Sequence, residues 1–137
     1  MSGQSVDVVK GIYEAFARGD VPGVLGAFAD DIEWYEAEGM PYGGLHRGGE
    51  AVAEKVFGPI TTDVEGFAVT PEEFMASGDA VAVVTRYTGT GKGTGKRLDE
   101  PVVHVWDIRD GRAARFRQFI DTVSYAEVVP ADVSVAN

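Results

Sequence analysis

Two histidines and no cysteine set the first limit on the chemistry open to this chain. Without cysteine there is no thiol nucleophile, no disulfide framework and no cysteine metal site. His46 and His104 stand far apart, with no HxH or HxxxH spacing, so with nearby acids they make a poor metal site. Nothing reads GxSxG, which removes the nucleophile-elbow form of hydrolysis. The stretch TGTGKGTGKR invites a phosphate-loop reading. It lacks the G-x-x-x-x-G-K-[ST] spacing and leads into a strand, and a flexible hairpin loop accounts for it better. What remains is acid/base work. Removing a proton next to a carbonyl needs a carboxylate base and a donor for the developing enolate oxygen. A carboxylate held among apolar side chains has its pKa raised toward working pH. Tyr13, Trp34, Met40, Tyr42 and Phe57 are the side chains expected to line such a pocket and hold a flat substrate.

The elements that must position these groups follow from pattern. The chain has 137 residues, 45% of them apolar, which fits one domain with a real core. Its net charge of −10 argues against nucleic acid and against anionic membrane surfaces. No apolar run is long enough to span a bilayer and no secretion signal is visible, so a cytoplasmic protein is expected. Val9, Ile12, Tyr13 and Phe16 form a helical stripe, with Ser5 as its cap and Gly19 as its end. Asp20 caps a second, short helix with Pro22 in its first turn and Val24, Leu25 and Phe28 on its buried face. Ile32–Glu36 reads as a short strand, and Ala37–Gly49 as a long loop of the kind that carries function. Glu50–Phe57 is a third helix, stopped by Gly58-Pro59. Strands then follow: Gly66–Ala76, bent by Pro71; Ala80–Thr88; and Pro101–Arg109 with Arg112–Ile120 across an Asp110-Gly111 turn. The fold class is therefore α+β: three N-terminal helices on a strongly curved, mostly antiparallel sheet, a cone whose mouth suits a small molecule. The core spans about residues 6–128, with a frayed tail over 130–137.

Three stretches carry a family resemblance: IYEAFARGDVPGVLGAFADDIEWYEA, PYGGLHRGGEAVAEKVF and PVVHVWDIRDGRAARFRQFIDT. In this order they resemble SnoaL-like proteins of the nuclear transport factor two superfamily, relatives of ketosteroid isomerases. The resemblance implies a cone-shaped fold and a function among isomerases, aldol-type polyketide cyclases, dehydratases, epoxide hydrolases or non-catalytic binders. By this resemblance Asp121 takes the place of the cyclases' acid/base aspartate and His104 that of their pocket histidine. Glu36 falls where the isomerase base sits. The isomerase tyrosine falls near Ile12, with Tyr13 one place off, which argues against steroid isomerisation itself. The implied protein is an enzyme that needs no organic cofactor or metal and acts on a small, partly apolar or aromatic carbonyl compound. A homodimer through the sheet is also implied, and Val103 and Val105, on the side away from His104, would need such cover.

Plainer readings stand beside these. Asp121 is well placed to cap Thr122 and Ser124. His104 in an apolar strand reads equally as a satisfied core histidine, and Glu36 as a solvated loop acid. Arg86 and Arg117 are either surface ion-pair partners or the arginine that epoxide hydrolysis would require. The hairpin allows two registers. A two-residue turn sets His104 opposite Arg117; a three-residue turn sets it opposite Gln118 with Phe116 on its side, and the second is preferred because it keeps arginines out of the pocket.

Overall fold

The computed structural model describes residues 2–130. Of the expected frayed tail, only Pro130 falls among them. Helix α1 (Ser2–Arg18) buries Val9, Ile12, Tyr13 and Ala15. Ser5 lies inside it rather than at its start, and its hydroxyl donates to Asp79 Oδ1 at 2.8 Å. Gly19 ends the helix with φ +69°, as expected. The Asp20 carboxylate accepts from Gly23 N–H at 2.9 Å and so caps α2 (Val21–Gly26). Phe28 does not belong to that helix. It opens strand β1 (Phe28–Glu36), which is longer than Ile32–Glu36.

The glycine-rich segment after β1 is not all loop. Gly44–Arg47 forms β2, antiparallel to β1 with Trp34 opposite His46. Gly58-Pro59 also fails to stop the third helix. The chain runs from α3 (Gly49–Val52) through a π-turn (Ala53–Phe57) into α4 (Gly58–Asp63). Proline in the first turn of a helical segment costs no hydrogen bond, because the N–H it lacks has no partner there. Strands β3 (Val64–Ser77), β4 (Ala80–Gly91), β5 (Arg97–Arg109) and β6 (Arg112–Ile120) follow. A short α5 (Thr122–Val128), not expected from the sequence, closes the described chain.

The six strands form one sheet in the order β2-β1-β6-β5-β4-β3. The β1–β6 pair is parallel and the others antiparallel. Strand alternation puts one set of side chains on the inner face: Trp34 and Glu36, Phe116 and Gln118, His104 and Trp106, Thr85 and Tyr87. Helix α1 and the α3–α4 segment supply the facing apolar residues of the same core. Among the described residues no helix is long and apolar enough to cross a membrane.

The β5–β6 hairpin resolves its register in an unexpected way. Asp110 (φ +54°) and Gly111 (φ +76°) make a two-residue turn, and Arg109 pairs with Arg112. The register then shifts between Ile108 and Asp107, leaving Ala114 as an extra residue, so that His104 faces Gln118. The first register holds at the tip and the second at the centre.

Helix α5 is fixed at both ends. Asp121 caps its start, accepting from Val123 N–H and Ser124 N–H, each at 3.1 Å. At its end Val128 O accepts from Thr94 Oγ at 2.7 Å, and a Cβ at Gly91 would lie 2.3 Å from that same oxygen. We expect Asp121→Ala to lower the melting temperature by roughly 3–5 °C, and Asp121→Asn, which keeps a capping oxygen, by less. Differential scanning fluorimetry checks both.

Candidate active site

The inner face gathers one acid and a set of hydroxyl, imidazole and indole groups around stacked aromatic rings. Trp34 lies on Phe116 with ring centroids 3.6 Å apart, and Trp106 meets both edge-on. Glu36 sits at the end of β1 beside this stack and is 1% exposed. Trp34 Nε1–H donates to Glu36 Oε1 at 2.8 Å, while Oε2 is buried with no hydrogen-bond partner. Burial raises the Glu36 pKa to about 7; the neighbouring Trp34 and Gln118 groups pull it down by less. No basic side chain contributes to that balance.

Next to Glu36 runs a chain of buried hydrogen bonds. Trp106 Nε1–H donates to Tyr13 Oη at 3.0 Å, and Tyr13 Oη lies 2.5 Å from His104 Nδ1. His104 Nε2 lies 2.7 Å from Tyr87 Oη, which accepts from Gln118 Nε2–H at 2.9 Å. Gln118 is held in turn by Ala37 N–H, which donates to its Oε1 at 3.1 Å. Burial drops the His104 pKa to about 3, so the ring is neutral, with one N–H and one lone pair. Both ends of the chain are fixed donors, an indole and an amide. Between them, two tyrosine hydrogens and one imidazole hydrogen serve only two gaps. One hydroxyl hydrogen is therefore left over, at Tyr87 or at Tyr13 depending on the tautomer. Glu36 is close enough to Tyr87 for its charge to help raise that phenol's pKa.

The structure brings together most of the expected site. Glu36, His104, Trp34, Phe116, Gln118 and Tyr13 share the chamber. Tyr42 is buried at its edge, with its hydroxyl 2.6 Å from that of Tyr125 on α5, and the Glu36 charge contributes to raising the Tyr125 pKa. Met40 belongs to the same core. Phe57 stands edge-on to Trp34 at 5.4 Å.

Asp121 is a correction. It is exposed, faces away from the chamber and caps α5. Hydrogen bonds from the Ser124 backbone, the Ser124 hydroxyl and the Val123 backbone hold its carboxyl below the usual range. The strand ends one residue too early for it: Ile120 pairs with Val102, two positions beyond His104. Arg86 and Arg117 are also out of the chamber. Arg86 pairs with Asp99 at 2.7 Å and Glu72 at 3.4 Å, and Arg117 lies opposite the outward-facing Val105 and Tyr35. Neither can serve an Asp-Arg-Asp arrangement around a water.

Tyr87, Trp106 and Tyr125 were not foreseen as site residues. The signal for Tyr87 was present: Val81, Val83, Thr85 and Tyr87 alternate onto one face of β4. No comparable signal marked Tyr125, whose helix follows from the Asp121 cap. Among the described residues no group of three or more His, Asp or Glu side chains is placed to hold a metal ion. A cavity of about 390 Å³ opens between α1, α2, α4 and β3, lined by residues that include Phe16, Phe57 and Phe67. Glu36 and His104 do not line it, and both are almost wholly buried.

Known proteins of this kind share the architecture. An NTF2-like protein of unknown function from Burkholderia pseudomallei is 32% identical, with a TM-score of 0.86 over 93% of this chain and 98% of that one. TerC, solved in co-crystals with polyporic acid, is 30% identical, with a TM-score of 0.84 over 91% of this chain and 97% of that one. The uncharacterized Rv0034 of Mycobacterium tuberculosis is 28% identical over 83% of this chain and 86% of its own length. A putative SnoaL-like polyketide cyclase from Jannaschia sp. shares the fold at 19% identity and a TM-score of 0.80. Residues 9–116 match the SnoaL-like domain family, the larger part of the sequence and every strand but the last four residues of β6, and the chain belongs to that family.

Proposed function

We propose that this protein is an acid/base enzyme acting on a small, partly apolar carbonyl compound, by isomerisation, aldol-type ring closure or dehydration. The observation that carries this reading is Glu36: a buried carboxyl with one unpartnered oxygen and a pKa near neutrality. A base works best when its pKa lies close to the working pH. Glu36 Oε2 takes the proton next to the substrate carbonyl. With His104 protonated at Nε2, the spare hydroxyl hydrogen is that of Tyr87, and it meets the oxygen as it gains charge. Gln118 and neutral His104 hold Tyr87 in position and do not themselves exchange protons with substrate. The reaction as drawn needs no organic cofactor or metal. The co-crystals of TerC with polyporic acid support a small organic ligand for this fold.

A second reading, a ligand-binding module without chemistry, is favoured by the separation of the open cavity from Glu36 and His104, which are almost wholly buried and do not line it. Glu36→Gln separates the two. We expect it to lower kcat at least 100-fold while ligand binding, measured by calorimetry, stays within a few-fold. Unchanged turnover would remove Glu36 from the mechanism.

The same residue sets a pH signature. The Glu36 pKa rises from 4.5 unfolded to about 7 folded, so between those values the folded state holds the proton more firmly. Stability therefore falls as pH rises through that window, by roughly 3 kcal/mol in all, and levels off above it. Activity that depends on ionised Glu36 rises across the upper part of the same window. His104 acts in the opposite sense: its depressed pKa makes stability fall as pH drops from 6.5 toward 3. Urea titrations of wild type and Glu36→Gln from pH 4 to 8 check this. Between pH 4.5 and 6.5 the two slopes oppose and largely cancel in wild type, so the variant, which keeps only the His104 effect, is expected to gain stability relative to wild type as pH rises from 4.5 to 7.

The outer face of the sheet is proposed as a homodimer interface. Tyr35, Leu45, Met75 and Phe119 are exposed there beside half-buried Val103 and Val105, and Arg117 Nε is buried without a partner. A second copy is the occupant favoured, since large apolar patches rarely stay bare on a monomer. Light scattering is expected to give twice the 14.6 kDa chain mass, and Phe119→Lys to give the monomer. A monomeric wild type at micromolar concentration contradicts the assignment.

A further inference from the structure

The segment 92–97, KGTGKR, gathers three of the chain's twelve lysines and arginines at the hairpin between β4 and β5. Every residue of it is exposed. Without Lys92, Lys96 and Arg97 the chain would carry −13 rather than −10, so the loop inverts the sign of charge locally on an acidic body. Cations elsewhere are mostly engaged. Arg18, Arg47, Arg86, Arg109 and Arg115 each sit in an ion pair, and Lys10 lies over the Phe74 ring. Lys92, Lys96 and Arg97 form no ion pair among the described residues. Asp99, two residues on from Arg97, is taken by Arg86 at 2.7 Å.

The backbone beneath these cations is tied down. Gly91 N–H donates to Lys96 O at 2.9 Å and Gly95 N–H to Gly91 O at 2.8 Å, which folds the segment into a tight turn. Gly95 takes φ +72°, a conformation open to glycine at little cost. Lys92 N–H donates to Asp63 O at 2.8 Å and pins the loop to the end of α4. Thr94 Oγ accepts from Lys96 N–H at 3.2 Å and donates to Val128 O at 2.7 Å, which pins it to α5. Three cationic side chains thus stand on a backbone held from two sides. A backbone fixed in advance lowers the ordering cost of binding.

This arrangement selects among anions. Gly91, Lys92, Gly95 and Lys96 spend their backbone N–H groups inside the fold, so the loop offers no row of free amides of the kind that cradles a phosphate. DNA carries one negative charge per about 1.7 Å of its axis and would run past the loop onto the acidic remainder. An anionic membrane brings a whole charged plane toward the same acidic body. At physiological salt, exposed charges are screened beyond about 8 Å, so a short acidic segment feels the loop and little else. One surface ion pair contributes little, but three adjacent cations act together on clustered acids.

We propose that the 92–97 loop is a docking surface for a short run of aspartate and glutamate side chains on another protein. The partner is recognised by charge, which makes the contact fast to form and sensitive to salt. Thr94 ties the loop to α5, whose Tyr125 hydroxyl lies 2.6 Å from that of Tyr42 at the edge of the Glu36 chamber. The docked segment therefore lies beside that helix. The proposal does not depend on Glu36 as a base.

The probe is rhodamine-labelled octaglutamate, followed by fluorescence anisotropy and by the backbone amide NMR shifts of the protein, at about 50 and about 200 mM salt. Lys96→Glu and Lys55→Glu change the net charge equally, and both positions are exposed. Thermal melting confirms that each variant is folded. We expect wild type to bind with shifts centred on residues 91–97, and to bind at least threefold more weakly at the higher salt. Lys96→Glu is expected to weaken binding at least fivefold, and Lys55→Glu less than twofold. Equal losses in the two variants, shifts centred away from the loop, or no binding at the lower salt overturn the proposal. A short DNA duplex or a phosphatidylserine vesicle bound as tightly as octaglutamate overturns it too. So does assembly beyond a dimer that Lys96→Glu reverses, since the occupant would then be a second copy of this chain.

Discussion

A carboxyl buried without a cation is an expensive thing for a small protein to keep, and Glu36 is such a group. Removing a carboxylate from water disfavours its charge unless an opposite charge or several donors replace the lost solvation. Glu36 receives one indole N–H on one oxygen and nothing on the other. The ion pairs seen among the described residues lie at solvent-exposed side chains, including that of Arg47 with Glu33, three residues before Glu36 on the same strand. Such exposed pairs contribute little and neutralise nothing inside. The acid is therefore balanced between its two protonation states near neutral pH. Most of the inner architecture follows from that constraint. The chamber must be dry, so it is walled by Trp34, Phe116 and Trp106, and the polar groups that remain must satisfy one another.

They do so through a chain that only the sheet register permits. His104 touches Tyr13 on one side and Tyr87 on the other because β5 places it opposite Val83 and Gln118. That pairing depends on the extra residue at Ala114. Without the bulge, a two-residue turn at Asp110-Gly111 would set Arg117 inside and Gln118 outside. An arginine beside Glu36 would hold the carboxylate ionised and abolish its neutral form. One residue of register thus separates a carboxyl poised near neutrality from an ordinary internal ion pair.

The sequence was most legible where pattern and physics agree over many residues. The helical stripe of α1, the capping of α2 by Asp20 and the presence of strands at Ala80–Thr88 and Pro101–Arg109 are as read, with β4 running on to Gly91 and β5 starting earlier, at Arg97. The inward side of β5–β6 was legible too, because an arginine-lined chamber was physically implausible. Three features were not. Gly44–Arg47 is too short and glycine-rich to show a strand period, and only β1 beside it gives it pairing partners. Gly58-Pro59 resembles a stop, yet the π-turn lets the helical path continue through it. Asp121 was weighed as an acid/base group or a cap, and the position of α5 decides for the cap. The same logic explains Glu36. Its neighbours Tyr35 and Glu38 suggested a solvated acid, but strand alternation turns it inward with Trp34.

The most direct test of the account is a ¹³C NMR titration of the Glu36 side-chain carboxyl in the unliganded protein, assigned with Glu36→Gln. A midpoint near 7 is expected from a dry, cation-free surrounding. A midpoint at the ordinary 4.5 would mean that water or a positive group reaches the carboxylate, and the chamber described here would not exist as drawn.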